Sequence, residues 1–330
     1  MTSYNLTGET LNLLSSFTVY TFQGVLAFCS NILLFLVVVW HEALRDRKEF
    51  LLMAGLAFAD AMCYGLTNVS LGIYRIPLVL DGSYLDPNKR RRCFQTIGQS
   101  LFYTFYGASC VMLFIVSLDR FLAVQWPLGY LGLTRSYALY ILSAVYGFSL
   151  VGYAVIGIRV WPSEQNVTRL CWSGESALKV DHNRYTWQGT FFVMLSLLMY
   201  ALALVSYKRS LSKVIDTQLP NSAHTSNLLW QKTFTRVVGL SCLLTLFFMV
   251  LPMGLNSTLS NLWPQLYYKF SGWVWLINSL NSFCNLGIFV VKQKDVRKGF
   301  WAMLSRKKMP TMLNQWHTVT SMRTVRGASK

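Results

Sequence analysis

The sequence predicts an all-α integral membrane protein: a bundle of seven transmembrane helices with a short amphipathic eighth helix behind the seventh. Three observations carry that prediction. Of 330 residues, 53% are hydrophobic and only 13% charged; soluble domains run nearer a quarter charged, so two globules of this length would lack a polar surface. Seven stretches are apolar enough to cross a ~30 Å hydrocarbon core, which takes about 20 helical residues whose backbone groups bond internally. The basic residues behind the net charge of +17 lie between those stretches, not on one face as a nucleic-acid binder needs.

Residues 1–16 contain no Lys or Arg and one Glu. They lack the basic region of a signal peptide and read as an extracellular tail. The spans follow as Phe17–Trp40, Phe50–Tyr74, Ile97–Leu118, Ser136–Ile158, Trp187–Tyr207, Val237–Leu262 and Phe270–Val291, a domain over 17–291. Only the second carries a charge, Asp60. Val296, Phe300, Met303 and Leu304 then recur at helical spacing while Lys294, Arg297 and Lys298 take other faces. That pattern predicts a cytoplasmic helix over 292–304 lying against anionic lipid, with a cytoplasmic tail over 305–330. Internal repeats of the kind that build many transporters are not visible.

Lys and Arg favour the cytoplasmic side. Segments 41–49, 119–135 and 208–236 and the tail carry twenty of the thirty, the opposite side ten. The expected arrangement is a plasma-membrane protein with its N-terminus outside and its C-terminus in the cytoplasm. Lys89-Arg90-Arg91-Arg92 runs against that bias, offset in part by Glu9, Asp81, Asp86, Glu164, Glu175 and Asp181 on the same side. The sequons at Asn5 and Asn166 both fall in segments read as extracellular, as glycosylation requires. Of seven cysteines only Cys93 and Cys171 lie in outer, oxidising segments. A bridge would pin the second outer loop across the bundle mouth and contribute roughly 2–4 kcal/mol; two free thiols are the alternative.

Directly after the third span comes Asp119-Arg120-Phe121-Leu122-Ala123-Val124, then Pro127-Leu128-Gly129-Tyr130. An Asp-Arg pair at a helix end can be a snorkelling base with its counter-ion. With its continuation, the run resembles the D-R-Y motif and second inner loop of rhodopsin-like (family 1) G-protein-coupled receptors. Asn31, Leu56-Ala57-Phe58-Ala59-Asp60 and Pro252 match family positions in the first, second and sixth spans. Asn281-Ser282-Phe283-Cys284-Asn285-Leu286-Gly287-Ile288-Phe289 is similar to N-S-x-x-N-P-x-I-Y, and Lys294–Phe300 to the family's eighth helix. Val250 stands where the family has the Trp of C-W-x-P, Leu286 and Phe289 replace Pro and Tyr, and the fifth span has no Pro. Such erosion resembles the nematode serpentine chemoreceptors, class SX-like.

The resemblance implies roles. Asp60, Ser109, Asn281, Ser282 and Asn285, with Asn31, match a cluster that binds sodium in the resting state; a hydrogen-bonded polar core is the other reading. Asp119 would hold Arg120 at rest, with Phe121 completing the motif, until a heterotrimeric G protein reaches Arg120 as the sixth helix swings outward about Pro252. Tyr200 matches the tyrosine that supports Arg120 in the active state; Phe289 has no hydroxyl to assist. Leu128 is either an apolar knob for the G protein or a packing residue. The inner end of the sixth span offers Lys232 and Arg236 in place of the acid that tethers Arg120 in some relatives, which predicts basal signalling.

The outer halves of the third, fifth and seventh spans are aromatic, and Phe102, Tyr103, Tyr106, Trp187, Phe191 and Trp273 are the candidate pocket residues. Lipid-facing aromatics are the alternative. Phe102 occupies the position where amine receptors place an Asp, and Ser279 that of the opsin lysine, so neither a monoamine nor retinal is expected. Arg75, Lys89–Arg92, Arg159 and Arg184 read as a rim attracting an acidic ligand or peptide, or as a solvated face. His41, His182, His224 and His317 have no metal-ligand spacing, and no enzyme signature is present. The expected function is a receptor for a small, non-aminergic chemosensory molecule. A peptide receptor of the same fold, and a seven-helix channel or transporter, are the alternatives.

Overall fold

The computed structural model describes residues 8–126, 129–130, 132–216, 240, 243–252, 254–255, 273–284, 287–288 and 294–305. Among these, five helices are long and apolar enough to cross a membrane. They are Gly8–Trp40, Lys48–Leu80, Ile97–Gln125, Arg135–Val160 and Lys179–Asp216. Helical residues at 243–252 and 273–284 fall within the expected sixth and seventh spans. Lys294–Leu304 forms the expected amphipathic helix.

Most helices outrun the spans read from composition. The first begins at Gly8, so half of the expected tail is helical. Leu13, Leu14 and Phe17 cause this: they pack with Tyr20, Leu170 and Leu276 in a small outer core. The fifth starts at Lys179, eight residues before Trp187, and the third continues through Asp119 and Arg120 to Gln125. A helix protruding from hydrocarbon can turn polar without ending, because water or a loop satisfies its side chains. Composition marks where the membrane stops, not where the helix stops.

The second and third helices are central and the fourth peripheral, much of its surface being exposed apolar side chains such as Phe148, Val151 and Ile158. The first and second helices touch backbone to backbone: a Cβ on Gly24 would lie 2.9 Å from the Gly65 carbonyl oxygen, and one on Gly65 2.6 Å from Phe28 Cα. Small residues are the usual means of such close approach between membrane helices. Two π turns interrupt the bundle, Ala61–Leu66 directly after Asp60 and Leu246–Val250 directly before Leu251 and Pro252.

A two-stranded antiparallel pair lies at one end of the bundle, joining β1 (Pro87–Lys89) to β2 (Asn166–Thr168), far apart in sequence, in the register Asn88 to Val167. The Cys93–Cys171 disulfide lies beside it. Three-residue strands leave no alternating pattern long enough to read, so the sequence did not announce this pairing.

Candidate functional site

One face of the third helix organises three polar or aromatic centres. Phe102, Tyr106, Ser109, Leu113, Val116 and Arg120 recur at steps of four and three, the helical period, and all are buried.

At the C-terminal end of the third helix, Asp119 Oδ2 accepts hydrogen bonds from an Arg120 guanidinium nitrogen and from the Tyr130 hydroxyl, the latter at 3.0 Å. The same guanidinium nitrogen donates to Tyr130 Oη at 2.7 Å. Burial pushes the Tyr130 phenol above its ordinary value, against the pull of Arg120, so the hydroxyl stays a donor. Lys48 lies 3.7 Å from the centroid of the Tyr130 ring and donates to the carbonyls of Tyr130 and Leu133. Loop and helix thus form one charged knot. Phe121 turns away from it and packs edge-on against Trp126. Tyr200 is buried in the main core and Pro252 is buried on the sixth helix. Leu128, Asn285 and Phe289 lie outside the described residues.

At mid-depth, Ser109 Oγ donates to Asp60 Oδ1 at 2.5 Å. Asn31 Nδ2 donates to Ser282 Oγ at 2.7 Å and to the Ala27 carbonyl at 3.0 Å. Thr245 Oγ1 donates to Asn281 Oδ1 at 2.9 Å, joining the sixth and seventh helices. All of these residues are buried, and Asn31 Oδ1 has no hydrogen-bond partner among the described residues. The buried acceptors in these contacts are carboxylate, hydroxyl and amide oxygens, the ligand type that a small hard cation takes.

Toward the N-terminal end of the third helix, Phe102 stacks on Tyr106 at 5.3 Å and meets Trp275 edge-on at 5.3 Å. Tyr185 closes the group from the fifth helix, 5.5 Å from the Tyr103 ring and 5.6 Å from the Tyr106 ring. Tyr103 Oη donates to the Ser173 carbonyl at 2.5 Å and contacts His182 Nδ1 at 3.0 Å. Trp275 Nε1 donates to Asn68 Oδ1 at 2.7 Å.

The sequence matches the family described as 7 transmembrane receptor (rhodopsin family) over residues 30–286. The chain belongs to that family. No curated protein matches it. It is therefore a multi-pass membrane receptor, and such receptors in general pair an extracellular ligand with a G protein. The nematode chemoreceptor subtype has no support beyond the resemblance in the motifs.

The structure divides the receptor's expected pocket residues. Phe102, Tyr103 and Tyr106 come together, but Trp187 and Phe191 are 65% and 61% exposed and Trp273 is also exposed. These three are corrected to the outer surface. On the fifth helix, Tyr185, Gly189, Val193, Ser196 and Tyr200 face the bundle, and a Cβ on Gly189 would come within 2.6 Å of Tyr106. Trp187 and Phe191, four apart, lie on the other side. Counting back from Tyr200 in steps of three and four would have found Tyr185. His182, read as one of four scattered histidines, stands beside Tyr103 instead.

The basic rim is also corrected. Arg75 is not at a rim: it is 1% exposed inside the second helix, donates to the carbonyls of Leu170 (2.8 Å) and Cys171 (2.9 Å), and lies 4.8 Å from the Trp172 ring. Gln99 Nε2 donates to the same Cys171 carbonyl at 2.6 Å. Lys89 pairs with Glu164 at 2.5 Å and holds that exposed carboxyl below its usual range. Arg90 donates to the Glu175 carbonyl at 2.9 Å, and Arg159 pairs with Asp181 at 2.5 Å. Arg92 and Arg184 are exposed. Asn166 is exposed at the start of β2, and Asn5 lies outside the described residues.

Proposed function

We propose that this receptor binds a small, uncharged, largely apolar molecule at the cage of Phe102, Tyr103, Tyr106, Tyr185 and Trp275, and answers by opening its inner end to a heterotrimeric G protein. The observation that carries the reading is the buried Arg120, held by Asp119 and Tyr130 at one end of the helix whose other end lines the cage. A ligand that favours one of two arrangements at the cage shifts the population at the lock. Asn68 Nδ2, buried with no partner among the described residues, offers a donor to an uncharged acceptor on the ligand. With Phe102 in the cage, a salt bridge to a monoamine has no acid at that point, and Ser279 offers no amine for retinal. No cofactor is needed, and no catalytic chemistry.

The N-terminus is outside in this reading, with Asn166 glycosylated and Arg120 facing the cytoplasm. Asp60, Ser109, Asn281, Ser282 and Asn285 would hold a sodium ion that favours the resting arrangement, Asn31 Oδ1 adding an acceptor. The test is a screen of volatile and water-soluble small molecules and of peptides, read by G-protein activation and by ion current in the same cells. An agonist whose signal vanishes in Arg120→Ala at equal surface expression supports the reading, and loss of its sodium dependence in Asp60→Asn supports the ion site. A ligand-gated current that persists without G protein would replace the receptor with a channel. A peptide as the sole agonist would replace the small molecule.

A further inference from the structure

The receptor has no tryptophan next to Pro252 in the sixth helix; Val250 stands there, partly buried against the core. Four contacts lead elsewhere. Trp275 meets Phe102 edge-on at 5.3 Å, and its Nε1 is anchored on Asn68 Oδ1 at 2.7 Å. Tyr64 packs on the other side of the route, 5.7 Å from the Trp275 ring. The Tyr64 hydroxyl then donates to Met249 Sδ at 3.8 Å. Tyr64 and Met249 are both buried, and each sits in one of the two π turns, Ala61–Leu66 and Leu246–Val250.

The geometry points to Trp275 and Tyr64 as the sensor that carries the state of the aromatic cage to the sixth-helix hinge through Met249. A π turn is a break in the i→i−4 ladder that is recurrently found at functional sites. Pro252, two residues beyond the second π turn, removes a further backbone donor. Among the described residues, 246–252 is therefore where the sixth helix can change its bend at least cost, and Met249 meets Tyr64 of the second helix there. A methionine suits that post because its unbranched thioether adapts to several packings and still attracts an aromatic neighbour. A ligand that moves Phe102 tilts Trp275, which draws Tyr64 from Met249 and frees the hinge.

This rests on the receptor reading for its purpose, but its test needs neither ligand nor G protein. Hydrogen–deuterium exchange is measured on the full receptor in lipid nanodiscs for wild type, Trp275→Phe, Tyr64→Phe, the double variant, and Phe105→Leu. Phe105 is the control, since it packs on Phe58 and Tyr146 away from the route. Expected is an exchange rate over residues 243–255 raised about threefold to tenfold in each single variant, a range set by the strength of sulfur–aromatic and hydroxyl contacts. The double variant goes no further, because both substitutions cut one chain of contacts, while Phe105→Leu and the third-helix amides stay at wild-type rates. Unchanged exchange over 243–255, or rates in the double variant that multiply, would overturn the sensor. Lack of G-protein coupling in any variant bears on the receptor reading and leaves this result standing.

Discussion

Asp60 was expected inside the second span and Arg75 just beyond it at a rim, yet the structure buries both on the second helix and uses them differently. Asp60 is buried at mid-depth against Ser109. Arg75 lies near the outer end, and its guanidinium holds the Leu170 and Cys171 carbonyls. Cys171 adopts φ 52, a left-handed conformation unusual for a non-glycine residue, so the loop needs such holding. Removing the guanidinium leaves two buried carbonyls short of a charged donor, a cost of about 3 kcal/mol. Arg75→Met should therefore lower the unfolding temperature of the purified receptor measurably, whereas Arg92→Met, at an exposed site, should not. Equal values for the two would show that Arg75 is not a latch.

At the scale of the element, the helices differ in how plainly they wrote themselves in the sequence. The fourth runs Arg135–Val160 against an expected Ser136–Ile158, because it is apolar wherever it meets lipid and a loop begins at each end. The fifth was legible as a helix but not in its facing: Trp187 and Phe191 are as hydrophobic as Tyr185, and only the register from Tyr200 separates them. The eighth helix was legible from Val296, Phe300, Met303 and Leu304, but not its docking. His41 Nε2 contacts the Gly299 carbonyl at 2.9 Å and Arg47 pairs with Asp295 at 3.0 Å. A Cβ on Gly299 would already lie 3.0 Å from Leu44 Cδ1 and 3.1 Å from Val37 Cγ1. Gly299→Val adds two further methyl groups at that contact, overpacking worth about 1–3 kcal/mol. The expected result is roughly tenfold faster amide exchange over 294–304, with Gly299→Ala close to wild type. Full protection in the valine variant would mean that the helix is held by lipid instead.

For the molecule as a whole, one end of the bundle is closed by covalent and polar links: the Cys93–Cys171 bridge, the β1–β2 pair and Arg75. Of the run Lys89–Arg92, which opposed the expected orientation, Lys89 pairs with Glu164 and Arg90 donates to the Glu175 carbonyl, while Arg92 stays exposed. The proposed orientation puts Asn166 outside, so the mature protein should shift in mobility on treatment with a peptide N-glycosidase, and Asn5→Gln with Asn166→Gln should abolish the shift. A wild-type protein with no shift in a glycosylating cell would argue for the reverse orientation. The fold was thus legible from composition and from the family motifs, which also named the residues of the two polar centres. The strand pair, the Arg75 latch and Tyr130's place in the lock were not, since each depends on loops whose path no local pattern specifies.

The central claim, that Arg120 is the switch and Asp119 with Tyr130 its restraint, is tested most directly by ligand-free nucleotide exchange on purified G proteins. Wild type should show measurable basal exchange, since Lys232 and Arg236 supply no acid to tether Arg120. Tyr130→Phe should raise it by about tenfold, the worth of one hydrogen bond to a charged group. Arg120→Ala should return it to the receptor-free rate. Exchange in folded Arg120→Ala at the wild-type rate would contradict the account.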